Sequence, residues 1–372
     1  MRSFQTEKKT DSDAATVLKQ VELTEELTRP AMNSMVGLAQ GPLSTEQIFV
    51  LEARSADLVP PPSELPVTPA PDLAAQKSLL AKAGSYVANI YEKLPSLSVT
   101  KTTLRFQDNV EALAASSGMN GSARDVSTSS AFANKASFVH YINSTTHVVM
   151  SEHGAEKNPA EKDQTPWGAN KMIALQDPDP GLAQIFNEAA AGGSIHWVRW
   201  ELINGRSTAV FSFSVPGAQS KLAVSVCCFP KIKQAGIATF YTATTAAALA
   251  GSGAGGGGGA TGNFQTNTEW HDFKSVPSYH GEFFIDAATG IVLRMITQAE
   301  LKPTDVVRQL DTRIDYGAAK VGNATFILPV KTVVHSVVIP NGDSGAGGYS
   351  TRCTLFTSEY RDYQPSGSDQ AK

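Results

Sequence analysis

The segment from Tyr279 to Thr297 constrains the fold of this chain more than any other. Apolar residues recur at every second position on both sides of a short turn at residues 286–290, Asp-Ala-Ala-Thr-Gly: Phe283, Ile285, Ile291, Leu293 and Met295. Alternation with a period of two is typical of a strand with one buried face, and two such runs around a turn predict a β-hairpin. The alternation places Phe283 in the core and His280, Glu282 and Phe284 on a solvated face.

Similar strand-like runs recur through the chain. Ile195–Leu202 and Arg206–Val215 meet at Asn204-Gly205, the dipeptide that suits a type I′ hairpin turn. Further predicted strands lie at 97–106, 137–142, 146–150, 222–229, 237–244, 312–316, 325–328, 331–339 and 351–360. Roughly ten strands joined by turns, with few helices, predict an α+β, mostly β fold built on an antiparallel sheet.

The predicted domain organisation has three parts. Residues 1–71 form a poorly ordered lead-in that ends in a proline-rich linker at Val59–Pro71, and residues 72–363 form the β-rich domain. Within that domain, one helix begins after an N-cap at Asp72 and ends near Lys93, and a second spans Pro180–Ala191. The glycine-rich run at 251–262 is a flexible insertion, because no Lys-Ser/Thr pair follows it as in a phosphate loop. Residues 364–372 are a disordered tail.

Charge and composition exclude several classes of partner. The formal net charge is -4 and no basic cluster is present, which argues against nucleic acid and anionic membrane surfaces. No apolar run reaches the roughly 18 residues of a membrane span. The start of the chain shows no signal peptide, which leaves two interpretations open: a cytoplasmic protein, or a true start that lies upstream.

The cysteines and the titratable residues point to no cofactor. Cys227 and Cys228 are adjacent in a strand-like run, so they face opposite ways, and either one could pair with Cys353. Buried free thiols are favoured over a disulfide. The densest titratable cluster contains His271, Asp272 and His280, and a metal-dependent hydrolase built on these three is an alternative to a solvated strand face.

Aromatic residues on the strands are the candidate ligand-binding residues. They are Trp197, Trp200, Phe211, Phe213 and Phe283. Large aromatics are more often core than site, but a concave sheet face that carries several of them could hold an apolar ligand.

Four short segments carry a resemblance to known proteins. They are Tyr91-Glu92-Lys93-Leu94-Pro95, the turn at 286–290 with Ile291-Val292-Leu293-Arg294, Ile314-Asp315-Tyr316-Gly317 and Phe326-Ile327-Leu328-Pro329. They resemble segments of a group of uncharacterised acidobacterial proteins. The strand-turn-strand layout also resembles the half-barrel of periplasmic lipoprotein carriers. That resemblance implies a curved sheet of about ten strands, packed against one or two short helices, that holds acyl chains and has no catalytic residues.

Three functions follow as hypotheses. The first is a non-enzymatic binding domain of the bacterial cell envelope, whose ligand is a lipid or an acylated peptide held by the five aromatics. The second is a structural or protein-interaction module with a filled core, whose partner is another envelope protein. The third is the hydrolase around His271, Asp272 and His280. The location, in the periplasm or elsewhere in the cell envelope, depends on an upstream start.

Overall fold

The structure, a computed structural model, describes residues 6–7, 9–56, 58–91, 94–108, 139–152, 155–157, 174–175, 181–230, 270–338 and 352–366. The predicted strand at 237–244, the glycine-rich insertion at 251–262 and the predicted tail beyond residue 366 lie outside these ranges.

Ten of the described strands form one antiparallel sheet, in the order β3-β2-β1-β13-β12-β11-β10-β9-β6-β5. The other three, β4, β7 and β8, form a small sheet in the order β4-β7-β8. The strands are β1 Leu97–Asp108, β2 Val139–Glu152, β3 Ala155–Lys157, β4 Ala174–Leu175, β5 Ser194–Ile203, β6 Arg206–Val215, β7 Val224–Pro230, β8 Trp270–Ser275, β9 Tyr279–Asp286, β10 Val292–Ala299, β11 Val307–Val321, β12 Ala324–Val338 and β13 Arg352–Pro365. Because β3 and β5 end the large sheet without pairing to each other, it is not closed into a barrel. The predicted mostly-β, antiparallel fold is confirmed.

Both predicted hairpins are present, and local chemistry explains their turns. Between β5 and β6, Asn204 and Gly205 have φ values of 51° and 76°, as a type I′ turn requires. Between β9 and β10, the Asp286 carboxylate accepts hydrogen bonds from the Ala288 and Thr289 amides at 3.0 and 2.8 Å. Gly290 ends this turn with φ 76°, a left-handed conformation that glycine adopts without steric cost.

Two predicted breaks in strands are absent. The sequence suggested a turn at residues 143–145, but β2 runs unbroken through them and pairs with β1. Likewise, the runs at 325–328 and 331–339 merge into β12 across Pro329. Pro329 lies opposite Tyr316, where the register between β11 and β12 shifts, and such an irregularity tolerates a residue without an amide hydrogen.

The described helices are α1 Asp11–Lys19, α2 Arg29–Val36, α3 Pro42–Arg54, α4 Leu73–Tyr91 and α5 Leu182–Gly192, with a short 3₁₀ turn at Pro62–Glu64. Helices α4 and α5 match the two predicted helices, and Asp72 caps α4 by accepting from the Ala75 amide at 2.7 Å. The buried stripe of α4 is Leu79, Ala83 and Val87, whereas Leu73 at its first turn is 73% exposed.

The first three helices correct the prediction of a poorly ordered lead-in. Residues 9–56, called the N-terminal unit here, form α1, α2 and α3 around a small core of their own. That core contains Leu18, Ile48 and Leu51, with partly buried residues of α2 and the connecting loops packed against it. The sequence pattern did not reveal this unit, because its helices are short and frequently interrupted. Each buries only a few apolar residues, so none shows a long periodic pattern.

The large sheet is covered on both faces. Helices α4 and α5 cover one face, which carries Phe211, Phe213 and Phe283 and is called the aromatic face. The N-terminal unit covers part of the opposite face, which carries Arg294 and Arg313 and is called the charged face. The segment between the N-terminal unit and α4 passes around strand β5 from the charged face to the aromatic face. Glu64 lies near Glu201 on the charged face. Five residues later, the Pro69 carbonyl accepts a hydrogen bond from the Trp200 indole on the aromatic face.

Candidate functional site

Three of the five predicted site aromatics form the packed centre of the aromatic face. Phe211, Phe213 and Phe283 are at most 3% exposed. The rings of Phe213 and Phe283 stack with centroids 4.2 Å apart, and Phe186 of α5 lies 5.2 Å from Phe283. These contacts are the close ring packing of a protein core. The Phe side chains therefore hold α5 on the sheet.

The two predicted site tryptophans lie at the edge of this packed centre, on the end strand β5. Trp197 meets Phe211 edge to face at 5.5 Å, and Trp200 meets Trp197 at 4.9 Å. The two are three residues apart, and a register shift between Trp197 and Arg199 brings both onto the aromatic face. Both are only partly buried, and the Trp200 indole donates to the Pro69 carbonyl at 3.0 Å. The structure thus brings all five predicted aromatics together but leaves only these two accessible.

A glycine makes the ring packing possible. Gly281 of β9 lies directly opposite Phe213 of β6, and the Phe213 ring covers the space where a side chain would stand. A Cβ atom at position 281 would lie 2.9 Å from the Phe213 ring and would overlap the Ile296 carbonyl. An aromatic ring over a strand glycine compensates for the missing side chain and fixes the register of the two strands.

A buried carboxylate lies beside this centre, and no sequence pattern predicts it. Glu188 of α5 is 7% exposed, and its Oε2 accepts from the Tyr279 hydroxyl at 2.8 Å and the Lys221 amide at 3.1 Å. Burial, reinforced by the neighbouring Glu188 carboxylate, raises the pKa of Tyr279 well above its usual range. Tyr279 therefore stays protonated and donates to Glu188, which ties α5 to β9.

The prediction that Phe284 lies on a solvated strand face is wrong. Phe284, predicted to face solvent, is 1% exposed and lies between two guanidinium groups. Those of Arg199 and Arg294 lie 5.7 and 5.4 Å from its ring centroid. Glu282, on the same face, accepts from Arg199 at 3.0 and 3.1 Å. The alternation correctly put these side chains opposite the aromatic face, but it did not show that other residues cover them.

The centre of the charged face is a set of ion pairs between the sheet and the N-terminal unit. Glu26 lies 2.7 Å from Arg313 and 3.4 Å from Arg294, and Asp315 lies 2.7 Å from Arg294. Arg313 also donates to the Ala56 carbonyl at 2.9 Å. Burial by itself would raise the pKa of Asp315, but the two guanidinium groups outweigh it and hold that pKa far below its usual range. Asp315 is therefore ionised throughout the neutral and mildly acidic range.

Carboxylates outnumber their cationic partners toward strand β5. Glu201 has a side chain 1% exposed and accepts from Arg199 at 2.9 Å. Burial raises the pKa of Glu201, and the attraction of Arg199 and Arg294 only partly opposes this. Burial and the nearby Glu26 likewise raise the pKa of Glu64 in the linker. At this end of the charged face, the ionised forms of Glu201 and Glu64 are therefore less favourable than they would be in water.

The residues of the hydrolase hypothesis are distributed over two sheets. His271 and Asp272 belong to β8 in the small sheet, and His280 belongs to β9 in the large one. Their convergence stays untested, because the side chains of His271 and Asp272 lie outside the described residues. His280 lies 3.2 Å from Glu300, and Ser278 also donates to Glu300, at 2.5 Å. Within the described ranges, no group of three or more His, Cys, Asp or Glu residues is placed to hold a metal ion.

The preference for free thiols over a disulfide between Cys353 and either Cys227 or Cys228 remains a prediction. The backbone puts Cys227 in β7 of the small sheet, opposite Ala174, and Cys353 in β13 of the large sheet, opposite Val337. The thiol groups of Cys227, Cys228 and Cys353 are among the side chains that the structure does not describe.

An open groove of about 510 Å³ lies on the outer side of α4. Its lining mixes polar and apolar side chains: Ser78, Ala81, Lys82, Ser85, Tyr86 and Asn89 of the helix and Thr289 of the β9–β10 turn. Because none of these residues is among the five aromatics, this groove is not the predicted apolar site.

Comparisons with protein-family models, with curated proteins and with solved structures found no match to this chain. In the part of the chain that the structure describes, no helix has both the length and the apolar character needed to cross a membrane.

Proposed function

We propose that this protein is a non-enzymatic binding domain of the bacterial cell envelope that takes an apolar ligand, a lipid or an acylated peptide. The observation that carries the proposal is the partial exposure of Trp197 and Trp200 beside a packed aromatic core. Indole rings offer a large apolar surface with a polar edge, and exposed aromatic pairs of this kind favour binding over packing.

The proposed binding site includes only two of the five predicted aromatics, Trp197 and Trp200. Three of the five, Phe211, Phe213 and Phe283, are buried by ring contacts within the aromatic face and with α5. They would therefore lie beneath the bound ligand and not beside it. An acyl chain would lie against Trp197 and Trp200 at the β5 edge of the sheet. The linker passes this edge, and its bond from Trp200 to the Pro69 carbonyl holds one indole in place. The envelope location is part of the proposal and comes from the resemblance to lipoprotein carriers.

The test is a titration of the purified chain with palmitate and with a palmitoylated peptide, followed by tryptophan fluorescence and native mass spectrometry. We expect a stoichiometric complex and a change in indole emission. Substitutions Trp197→Ala and Trp200→Ala should each weaken binding by about tenfold or more, because each removes a large apolar contact. Val198→Ala is the matched control, since Val198 lies between them on the same strand, is 41% exposed and should leave affinity unchanged.

The packed Phe side chains favour a second candidate, the interaction module with a filled core. Phe213 stacks on Phe283, and Phe186 of α5 packs against Phe283. This core is filled by side chains of the protein itself, without a ligand. The titration separates the two: a ligand-free mass at all palmitate concentrations, with unchanged emission, would contradict the binding domain and support the module. In that case, chemical cross-linking in cell envelopes would be the next measurement.

A further inference from the structure

We infer that the N-terminal unit is an exchangeable arm, which can dock on the charged face of a second copy of this chain as it docks on its own. The inference rests on the interface between residues 9–56 and the sheet. It is independent of the ligand proposed above.

The N-terminal unit can keep its shape when it leaves the sheet. Its core is formed by Leu18 of α1 with Ile48 and Leu51 of α3, and none of the residues packed in that cluster comes from the sheet. Asp11 also bonds the first amides of α3, those of Leu43 and Ser44, at 2.9 Å each. A segment with its own core and its own caps behaves as a small cooperative unit.

The contacts between the unit and the sheet combine ion pairs with one apolar cluster. The ion pairs are Glu26 with Arg313 and Arg294, Glu52 with Lys331, and Arg29 with Glu359. In the apolar cluster, Val50 and Ala53 of α3 pack on Phe106, Val337 and Leu355 of the sheet. Phe49 and Leu104 lie at its edge. Interfaces of this mixed character inside one chain resemble those of transient protein complexes, and relative motion is the default expectation for them.

The linker permits exchange. Val59–Pro71 contains several prolines and in extended form spans on the order of 40 Å, at about 3.1 Å per residue. It passes the outer strand β5, where no further strand of the described sheet lies beyond it. In a reciprocal exchange, each arm meets the same residues in the partner copy that it meets in its own. Every ion pair is kept, and only the path of the linker changes, as in domain swapping.

Charge reversal at Glu52 and Lys331 tests the exchange. A chain with Glu52→Lys faces its own Lys331, and a chain with Lys331→Glu faces its own Glu52, so each repels its own arm. In an exchanged pair of these two chains, both arms meet an opposite charge. We expect co-expression of the two, with different affinity tags, to give a heterodimer at least about tenfold more abundant than the homodimer of either chain, since a mismatched pair of this burial is strongly unfavourable.

Two further proteins complete the experiment. The double variant Glu52→Lys with Lys331→Glu restores the pair within one chain and should show the same monomer–dimer distribution as wild type. Deletion of residues 66–70 shortens the linker without touching either docking surface, and it should raise the dimer fraction, because a short hinge disfavours docking on the same chain. Size-exclusion chromatography with light scattering and native mass spectrometry measure both. Only monomers in the co-expressed pair and in the shortened chain would overturn the inference.

Discussion

The two faces of the large sheet are closed by different physical means. On the aromatic face, α4 and α5 are held by apolar contacts, centred on the stack of Phe213 and Phe283. On the charged face, the N-terminal unit is held by ion pairs that join Glu26 and Glu52 to arginine and lysine side chains of the sheet. Apolar contact needs only shape and volume, whereas each ion pair needs a particular partner. The first face therefore depends on filled volume, and the second depends on particular pairs of charges.

The largest effect should come from the centre of the aromatic face. Phe283→Ala removes a ring that is 0% exposed and leaves a cavity beside Phe186 and Phe213. We expect the free energy of unfolding to fall by about 3–5 kcal/mol, measured by urea denaturation. Phe283→Leu is the control and should cost clearly less, because it keeps most of the apolar volume. A loss below about 1 kcal/mol for the alanine variant would mean that this face is not a packed core.

A smaller loss is expected at the centre of the charged face. Arg313→Leu leaves Glu26 and Asp315 buried with Arg294 as their shared partner, and should lower the free energy of unfolding by about 3 kcal/mol. Adding Glu26→Gln to this variant removes one of the two buried carboxylates that have lost an arginine partner. The double variant should therefore recover part of the lost free energy of unfolding. Simple additivity of the two single changes would show that the residues do not interact, and would remove the basis of the comparison between the faces.

The smallest effect, with the opposite sign, should come from Glu201. Its pKa is higher in the folded chain than in the unfolded chain, so its contribution to stability is present below its ordinary pKa and is lost as the pH rises through the folded value. Glu201→Gln is neutral at every pH and should stabilise the protein at pH 7 by up to about 1 kcal/mol.

The pH series gives the control for this last prediction. As the pH falls below the ordinary pKa of a glutamate, the difference between Glu201→Gln and wild type should shrink toward zero, because the carboxyl is then protonated in both states. Asp315→Asn should behave in the opposite way and destabilise at pH 7, since the pKa of Asp315 is lowered by its arginine partners. Thermal unfolding followed by circular dichroism measures both, and a destabilising Glu201→Gln variant at pH 7 would contradict the prediction.

Local patterns in the sequence predicted much of the sheet. The type I′ turn at Asn204-Gly205, the β9–β10 hairpin and the cap at Asp72 all depend on residues close together in the chain, and all are present. The five candidate aromatics lie together on one face of the sheet, but Trp197 and Trp200 do so through a register shift that alternation does not predict. Glu188 escaped prediction, because a lone glutamate in an alanine-rich helix gives no local sign that Tyr279 lies beside it.

By itself, the sequence determined the strands, their turns and the direction in which their side chains point, because these follow from periodicity and from the conformations that single residues adopt. Only the tertiary structure decided which face is covered and by what. The pairing of Glu26 with Arg313 joins residues from opposite ends of the chain, and a pairing between distant charges leaves no periodic trace in either segment. For that reason, the N-terminal unit looked like a disordered lead-in, and the charged face looked like one exposed to water.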